Sequence, residues 1–359
     1  MASRSVARWR RLRTAIPAIF LVARAVAAQD QPPPALHLSG FADSIVSRSL
    51  HSDTTDLDFG ELDPYATVRF SDSWTALCEV LVQRVERGTY ADESRHRTVE
   101  LDLERLFVAY APSDAFRLEV GALSSGLLAW NEREERPRFL QTSIDMPAIA
   151  RRQEQGGAWP LHFLGAWASG RVGGSAGLSY GLGVGRGRAR TRDDIGPISG
   201  AGSAAGLISL AIAPEGLDGW EAGAAAFLDQ IPAREGTYNE MDVSVSSSFV
   251  RGPIEIRAEW SRMDHRLAGR AHVTQGWYAL ASSRMPGAFR KFRPYALLDH
   301  LDVAGDEPYL AGVRSQRAWA VGTRWDATPA LALKLDFRSQ RARSPERERL
   351  VRLELAVAF

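Results

Sequence analysis

The side chains most often used in catalysis are sparse in this sequence and lack the spacing that a known chemistry needs. A single cysteine, Cys78, excludes an internal disulfide and a cysteine-based metal site. His-Glu-x-x-His and EF-hand patterns are both absent. None of the histidines lies in a Gly-x-Ser-x-Gly setting; they are His37, His51, His96, His162, His265, His272 and His300. We therefore expect no catalytic residue, no metal ligand and no cofactor.

Charged side chains instead alternate with apolar ones. Ile254 to Trp260 places apolar groups at even positions and charges at odd positions, and Leu331 to Arg338 repeats the pattern. A period of two predicts strands with two unlike faces, and no stretch of similar length has a helical period. We interpret the chain as all-β, with the polar alternates facing water: Glu79, Gln83, Glu100, Asp102, Glu104, Arg117, Glu119, Glu255, Arg257, Glu259, Lys334, Asp336, Arg338, Arg352 and Glu354.

The alternating pattern divides into sixteen predicted strands, most of them as long as a tilted bilayer crossing needs. Tight turns rich in Gly, Pro, Ser and Asp alternate with connections that are mostly longer and more polar, which is typical of outer-membrane barrels. We predict a closed, antiparallel, transmembrane barrel in the cell outer membrane, with both termini in the periplasm. The predicted strands are 36–46, 62–70, 74–86, 98–111, 115–124, 161–170, 175–186, 206–213, 218–229, 238–249, 253–264, 272–283, 290–301, 312–324, 330–340 and 347–359.

The ends of the chain carry processing and assembly signals. Residues 1–28 have a basic start, a short apolar run and small residues at the end, which predicts a signal peptide. Residues 29–35 are a flexible lead-in, and the barrel occupies 36–359. The last strand alternates to a terminal aromatic, Phe359, and so resembles the assembly signal of bacterial outer-membrane proteins. The barrel-assembly machinery and outer-membrane lipids are the partners this implies.

The longest connection, residues 125–160, is the third external loop of the predicted barrel. A loop of this length is usually functional or disordered. Folded into the barrel, it would narrow the pore; left outside, it would be a solvated loop whose charges do nothing specific. The first interpretation predicts a constriction formed by Trp130, Glu132, Arg133, Arg136 and Arg138.

Residues 95–190 carry a family resemblance. Gly121-Ala122-Leu123, Trp130-Asn131 and the run from Gln141 to Pro147 resemble a strand and loop of the bacterial outer-membrane porin superfamily, which includes the phosphate-selective porins O and P. The resemblance implies a porin that lets small hydrophilic solutes or ions diffuse passively, and a homotrimer. Phosphate selectivity does not follow, because acidic residues are as common as basic ones and no Lys-rich or Arg-rich run appears where a series of phosphate sites would need one.

Other functions stay open beside the porin. A barrel that is only structural or adhesive would be silent in a planar bilayer, whereas a pore would carry a steady current. An outer-membrane hydrolase would need a nucleophile and a histidine brought together by the fold. Nucleic acid is not an expected partner, because the formal net charge is only +1.

Overall fold

The computed structural model describes residues 34–87, 96–134, 138–152, 155–188, 204–233, 236–267, 269–342 and 347–359. The predicted signal peptide, residues 1–28, and almost all of the predicted lead-in lie outside the described residues. Among those that are described, no helix is both long enough and apolar enough to cross a membrane.

Strands make up most of the described chain. They are β1 (Ala35–Ser49), β2 (Thr55–Asp58), β3 (Glu61–Arg69), β4 (Trp74–Arg87), β5 (His96–Ser113), β6 (Phe116–Ser124), β7 (His162–Val172), β8 (Leu178–Arg186), β9 (Ala204–Ile212), β10 (Trp220–Ala233), β11 (Gly236–Arg251), β12 (Ile254–Leu267), β13 (Arg270–Ser283), β14 (Phe292–Asp302), β15 (Gln316–Thr328), β16 (Leu331–Ala342) and β17 (Glu348–Ala358). One short helix, α1 (Ala129–Glu134), and 3-10 turns at Ala148–Ala150 and Gly287–Phe289 complete the described elements.

The strands form a closed antiparallel barrel. Each of β3 to β17 pairs with its neighbours along the chain, and β1 pairs with both β3 and β17, which closes the ring at sixteen strands. The short β2 adds a side ladder on the end of β1. The predicted fold class is confirmed, and each predicted strand matches an observed one to within a few residues. The side strand β2 was not predicted.

Two rims result from the connections. Tight turns such as 252–253 and 329–330 form one rim, called here the short-turn rim, which also holds the end of β17. The opposite rim, called the long-loop rim, carries the connection 125–161 but also two very short ones, at 234–235 and 268–269. The predicted separation of short turns and long loops onto opposite rims is therefore only partly seen, because the long-loop rim also carries short connections. The prediction that the short-turn rim faces the periplasm stays a prediction.

The wall has an apolar outer face and a polar inner face, the reverse of a soluble protein. Along β12, Ile256 is 50% exposed whereas its neighbour Glu255 is 6% exposed. Along β17, Leu353 is 47% exposed and Glu354 is fully buried. Exposed apolar side chains on a closed barrel suit contact with lipid, because closure leaves no unpaired strand edge in hydrocarbon.

A line of glycines lets the wall bend across three strands. Gly121 of β6 lies opposite Gly165 of β7, which lies opposite Gly185 of β8. A Cβ on Gly165 would lie 2.2 Å from the carbonyl oxygen of Val184. Only glycine permits this approach of backbones, and such glycine positions are where barrel walls curve sharply. The other two glycines of β8, Gly181 and Gly183, instead leave room for the ring of Trp167.

Candidate functional site: the lumen and its inserted segment

The described parts of residues 125–160, a range called here the inserted segment, lie inside the barrel. The segment contacts inward side chains of β1, β3 and β12 to β17. Six of its large apolar side chains are almost fully buried: Leu127, Leu128, Trp130, Ile144, Ile149 and Trp159. The long third loop therefore fills one side of the lumen rather than standing outside the barrel.

Helix α1 is held at its start by a carboxylate from the wall. Glu259 accepts hydrogen bonds from the backbone N–H groups of Ala129, at 2.7 Å, and Trp130, at 3.2 Å. The hydroxyl of Ser244 donates to the same carboxylate at 2.8 Å. A negative charge at this end satisfies N–H groups that have no partner within the helix. Trp130 then packs edge-to-face on Tyr278, with ring centroids 5.3 Å apart.

The next part of the inserted segment is held through its backbone carbonyls. Lys334 of β16 donates to the carbonyl oxygens of Arg138 and, at 3.1 Å, Ser143. Arg324 of β15 donates to the carbonyl oxygens of Phe139 and Gln141, the latter at 2.8 Å. These carbonyls face the wall instead of water, so cationic donors are needed to satisfy them. The charge of Lys334 is balanced by Glu354, 3.1 Å away.

Asp145 joins the inserted segment to two strands at once. Its carboxylate lies 2.8 Å from Arg338 of β16 and 2.7 Å from Arg352 of β17. Burial alone would raise the pKa of the Asp145 carboxyl, but the guanidinium groups of Arg352 and Arg338 outweigh burial and hold that pKa well below its usual value. The two arginines are also paired with acids of the wall, Asp299 and Asp336. The result is a network of three carboxylates and two guanidinium groups at the centre of the attachment.

Further ion pairs fix the segment to β1 and β3, the strands that follow β17 around the ring. Arg138 lies 3.6 Å from Asp43 of β1, and Arg152 lies 3.0 Å from Glu61 of β3. Gln155 also donates to Glu61, at 2.9 Å. The attached strands β12 to β17, β1 and β3 are eight consecutive strands, which is half of the ring. Such a segment is a fixed partition of the barrel interior.

A second stretch, residues 303–315 between β14 and β15, also folds inward. Tyr309 and Leu310 are buried in the same apolar cluster as Trp159. His265 of β12 links this stretch to the wall, because its Nδ1 lies 3.2 Å from Glu307 while its Nε2 pairs with Glu240. Together the two inserted stretches fill much of the lumen on the long-loop side.

An open cleft remains on the other side of the lumen. Its volume is about 570 Å³, and it lies between the start of the inserted segment and the inner face of β5 to β11, next to the short-turn rim. Small and hydroxyl side chains dominate the wall of this side cleft: Ser169, Ser179, Ser209, Ser244, Ser246, Gly170, Gly223, Ala211 and Ala225. Its charged lining residues are mixed in sign: Asp114, Arg117, Glu132, Arg171 and Glu221.

The structure separates the residues predicted to form a constriction. Glu132 is exposed and lines the side cleft, whereas Trp130 is buried against Tyr278. Arg138 faces Asp43 of β1. Arg136 lies outside the described residues, as does the side chain of Arg133.

The charges predicted to line the lumen fall into two groups. Most of those on β12 and β16 are engaged by the inserted segment; besides Glu259, Lys334 and Arg338, Glu255 accepts from Thr142 at 3.2 Å. Asp336 is buried and accepts from Tyr295, whose hydroxyl in turn accepts from the N–H of Ile144.

The second group pairs within the wall. Arg117 lies 2.7 Å from Glu119, and Arg257 lies 2.8 Å from Glu255. Glu104 lies 3.0 Å from Nε2 of His162. Asp102 is half-buried on β5, and the side chain of Glu100 lies outside the described residues.

Several attachment residues were missed from sequence. Asp43, Glu61, Asp145 and Arg324 hold the inserted segment but were not among the predicted site residues. Asp43 and Glu61 sit in strands whose alternation mixes in small or polar residues, so the period-two signal there is weak. Asp145 belongs to a loop, where no periodicity marks a side chain as inward. Among the described residues, no group of three His, Cys, Asp or Glu side chains is arranged to hold a metal ion.

Solved structures similar to this chain are outer-membrane porins and channels. The anion-selective porin of Comamonas acidovorans is 12% identical, with a TM-score of 0.62 over 91% of this chain and all of that one. The channel DcaP of Acinetobacter baumannii is 11% identical, with a TM-score of 0.61 over 91% of this chain and 97% of that one. OmpF of Salmonella typhi is 11% identical, with a TM-score of 0.60 over 90% of this chain and 97% of that one.

Sequence comparison adds no closer relative. No protein-family model matches the chain, and no curated protein matches it. At identities this low the structural likeness shows the fold, which is that of a porin-type barrel. The narrower resemblance to phosphate-selective porins O and P stays a prediction.

The attachment through Asp145 can be tested by Asp145→Asn. Loss of the carboxylate leaves Arg338 and Arg352 with one fewer counter-charge in the barrel, so we expect unfolding to become easier by up to about 3 kcal/mol. Because the folded pKa is depressed, the stabilisation is present above the unfolded value near ~4 and disappears only as pH falls through the lower folded pKa. Urea unfolding in lipid vesicles should therefore show the same deficit at pH 8 and pH 5.

The matched control for this experiment is Asp53→Asn, which removes an exposed pair with Arg48. Exposed pairs stabilise little, so this variant should unfold like the wild type. Equal stability of D145N and wild type would contradict the attachment, as would equal losses in the two variants.

Proposed function

We propose that the protein is an outer-membrane channel for the passive diffusion of small hydrophilic solutes, with the side cleft as the open part of its lumen. The observation that carries this proposal is a closed barrel with an apolar outer wall and a water-accessible cleft inside it. A sixteen-stranded barrel is wide enough for an aqueous channel even when part of its lumen is filled. The porin-type fold supports the same conclusion.

The chemistry of the cleft favours uncharged polar solutes. Serine hydroxyls on β7, β8, β9 and β11 can donate and accept hydrogen bonds without attracting either ion sign. Glycine and alanine lie beside these serines on the neighbouring strands, and their small size keeps the passage wide. Most charges elsewhere in the lumen are already paired with the inserted segment or with each other. Solutes the size of small sugars fit this environment.

Passage through the side cleft can be tested by narrowing it with Ser209→Trp. The large ring would project into the cleft, so we expect liposome swelling with glucose and sucrose to slow several-fold, more for the larger sugar. Val184→Trp is the matched control, because Val184 lies on the neighbouring strand β8 and is 68% exposed on the outer wall. Swelling that S209W and V184W affect equally would contradict a route through the cleft.

The mixed charge of the cleft predicts weak ion selectivity. Three carboxylates and two guanidinium groups line it, so no strong field of one sign is present. In planar bilayers under a potassium chloride gradient, we expect a reversal potential close to zero. A reversal potential close to the equilibrium potential of potassium or of chloride would overturn this interpretation, and so would a strong preference for phosphate over chloride.

A non-conducting barrel is a second candidate, and one observation favours it. Buried apolar side chains of the inserted segment pack in one cluster with Tyr309, Leu310 and Val313 on the long-loop side. A plug of this kind would leave the cleft closed at one end. Silence at all voltages in a planar bilayer would support the plug, and steady current steps would exclude it. The homotrimer, the signal peptide and recognition of the strand ending in Phe359 by the assembly machinery remain proposals.

A further inference from the structure

Three arginines stand together on the outer wall at the long-loop rim. Arg317 of β15 lies directly opposite Arg341 of β16, and Arg349 of β17 lies opposite Ser339 of β16. All three side chains are exposed. Two-residue alternation along each strand places them on the same outer face as exposed apolar residues such as Val321 and Val351.

This arrangement is unfavourable without a counter-charge. Like charges directly opposite each other on neighbouring antiparallel strands destabilise the pair. Within the described part of the chain, none of the three arginines forms an ion pair. Two other outward arginines toward this rim do have one: Arg48 lies 2.6 Å from Asp53, and Arg262 lies 2.8 Å from Asp264.

The arginines lie where an apolar wall meets water. Trp319 is one alternation step from Arg317 toward the middle of β15, and its ring packs against Phe337 at 5.3 Å between centroids. Aromatic side chains are enriched at the level of lipid headgroups. From this level toward the middle of the barrel the outer wall is apolar, and toward the long-loop rim the strands end in polar loops. The arginines therefore lie at the height of the lipid headgroups in a membrane-embedded barrel.

From these observations we propose that Arg317, Arg341 and Arg349 form a binding site for the phosphate group of a membrane lipid. A guanidinium group can offer two parallel N–H donors to one phosphate, so one headgroup can satisfy two arginines and relieve their repulsion. The acyl chains would lie on the apolar wall below, against Trp319. The site rests on the membrane location in the proposed function, but it does not depend on whether the barrel conducts.

The test uses the full chain purified in dodecyl maltoside, with dioleoyl phosphatidate or dioleoyl phosphatidylcholine added to the micelles. Native mass spectrometry counts bound lipid, and heating measures the unfolding midpoint. We expect phosphatidate to bind in preference and to raise the midpoint of the wild type. For R317Q/R341Q we expect phosphatidate binding to weaken about thirtyfold, since each of the two surface arginines near an anionic lipid contributes on the order of 1 kcal/mol.

Two comparisons keep the outcome specific. R284Q/R290Q removes two exposed arginines from the turn between β13 and β14 at the short-turn rim, and it should bind phosphatidate like the wild type. In phosphatidylcholine, R317Q/R341Q should unfold at the same temperature as the wild type or higher, because the repulsion is gone. An equal loss of phosphatidate binding in R317Q/R341Q and R284Q/R290Q would overturn the proposal. So would equal stabilisation of the wild type by inorganic phosphate, which would show that no lipid is needed.

A failure of this site is distinguishable from a failure of the channel. The three arginines lie on the outer wall, so R317Q/R341Q should give wild-type rates of sugar-driven liposome swelling. Wild-type swelling together with unchanged phosphatidate binding in R317Q/R341Q would reject the lipid site alone.

Discussion

Closure of the strand ladder is the constraint on which the rest of this structure depends. In hydrocarbon each unpaired backbone N–H or C=O costs several kcal/mol, so a sheet can cross a bilayer only as a ring. Here β1 pairs with β17 over residues 41–49 and 350–358, and Gly40 and Phe359 exchange both backbone hydrogen bonds at the end of the seam. Once the ring is closed, every strand has one face toward the outside and one toward the lumen. Apolar side chains then belong outside and polar ones inside.

The polar interior in turn determines how the inserted segment is held. A loop placed in the lumen brings backbone carbonyls and N–H groups away from bulk water, and each needs a partner. The wall supplies cations for the carbonyls, through Lys334 and Arg324, and an anion for the start of α1, through Glu259. Buried ionic networks of this kind contribute little net stability, but breaking one partner is costly. They fix where the segment lies and thereby which side of the lumen stays open.

Much of this architecture could be predicted from sequence because it depends on a local, periodic signal. Alternation along stretches such as Ile254 to Trp260 located all sixteen long strands of the ring. The partners of inward charges could not be predicted, because they are far apart in the sequence. Asp145 pairs with Arg338 and Arg352, which lie some two hundred residues further along the chain. The sequence also gives no sign of the residue at which the side chains of β5 change their inward and outward order. Glu79 pairs with Arg105 and Val80 with Leu103, so a bulge at Glu104 shifts the alternation by one residue.

Site-directed spin labelling along β12 tests the alternation of this wall most directly. Single cysteines would replace residues 254–267 in turn in a Cys78→Ser background, and the labelled protein would be reconstituted in lipid vesicles. We expect collisions with oxygen, which concentrates in lipid, to peak at Ile256, Ala258 and Trp260. Collisions with oxygen should be low at Arg257, Glu259 and Ser261. Accessibility without a two-residue period, or lipid contact at Glu259, would contradict a closed wall with lipid outside and the inserted segment within.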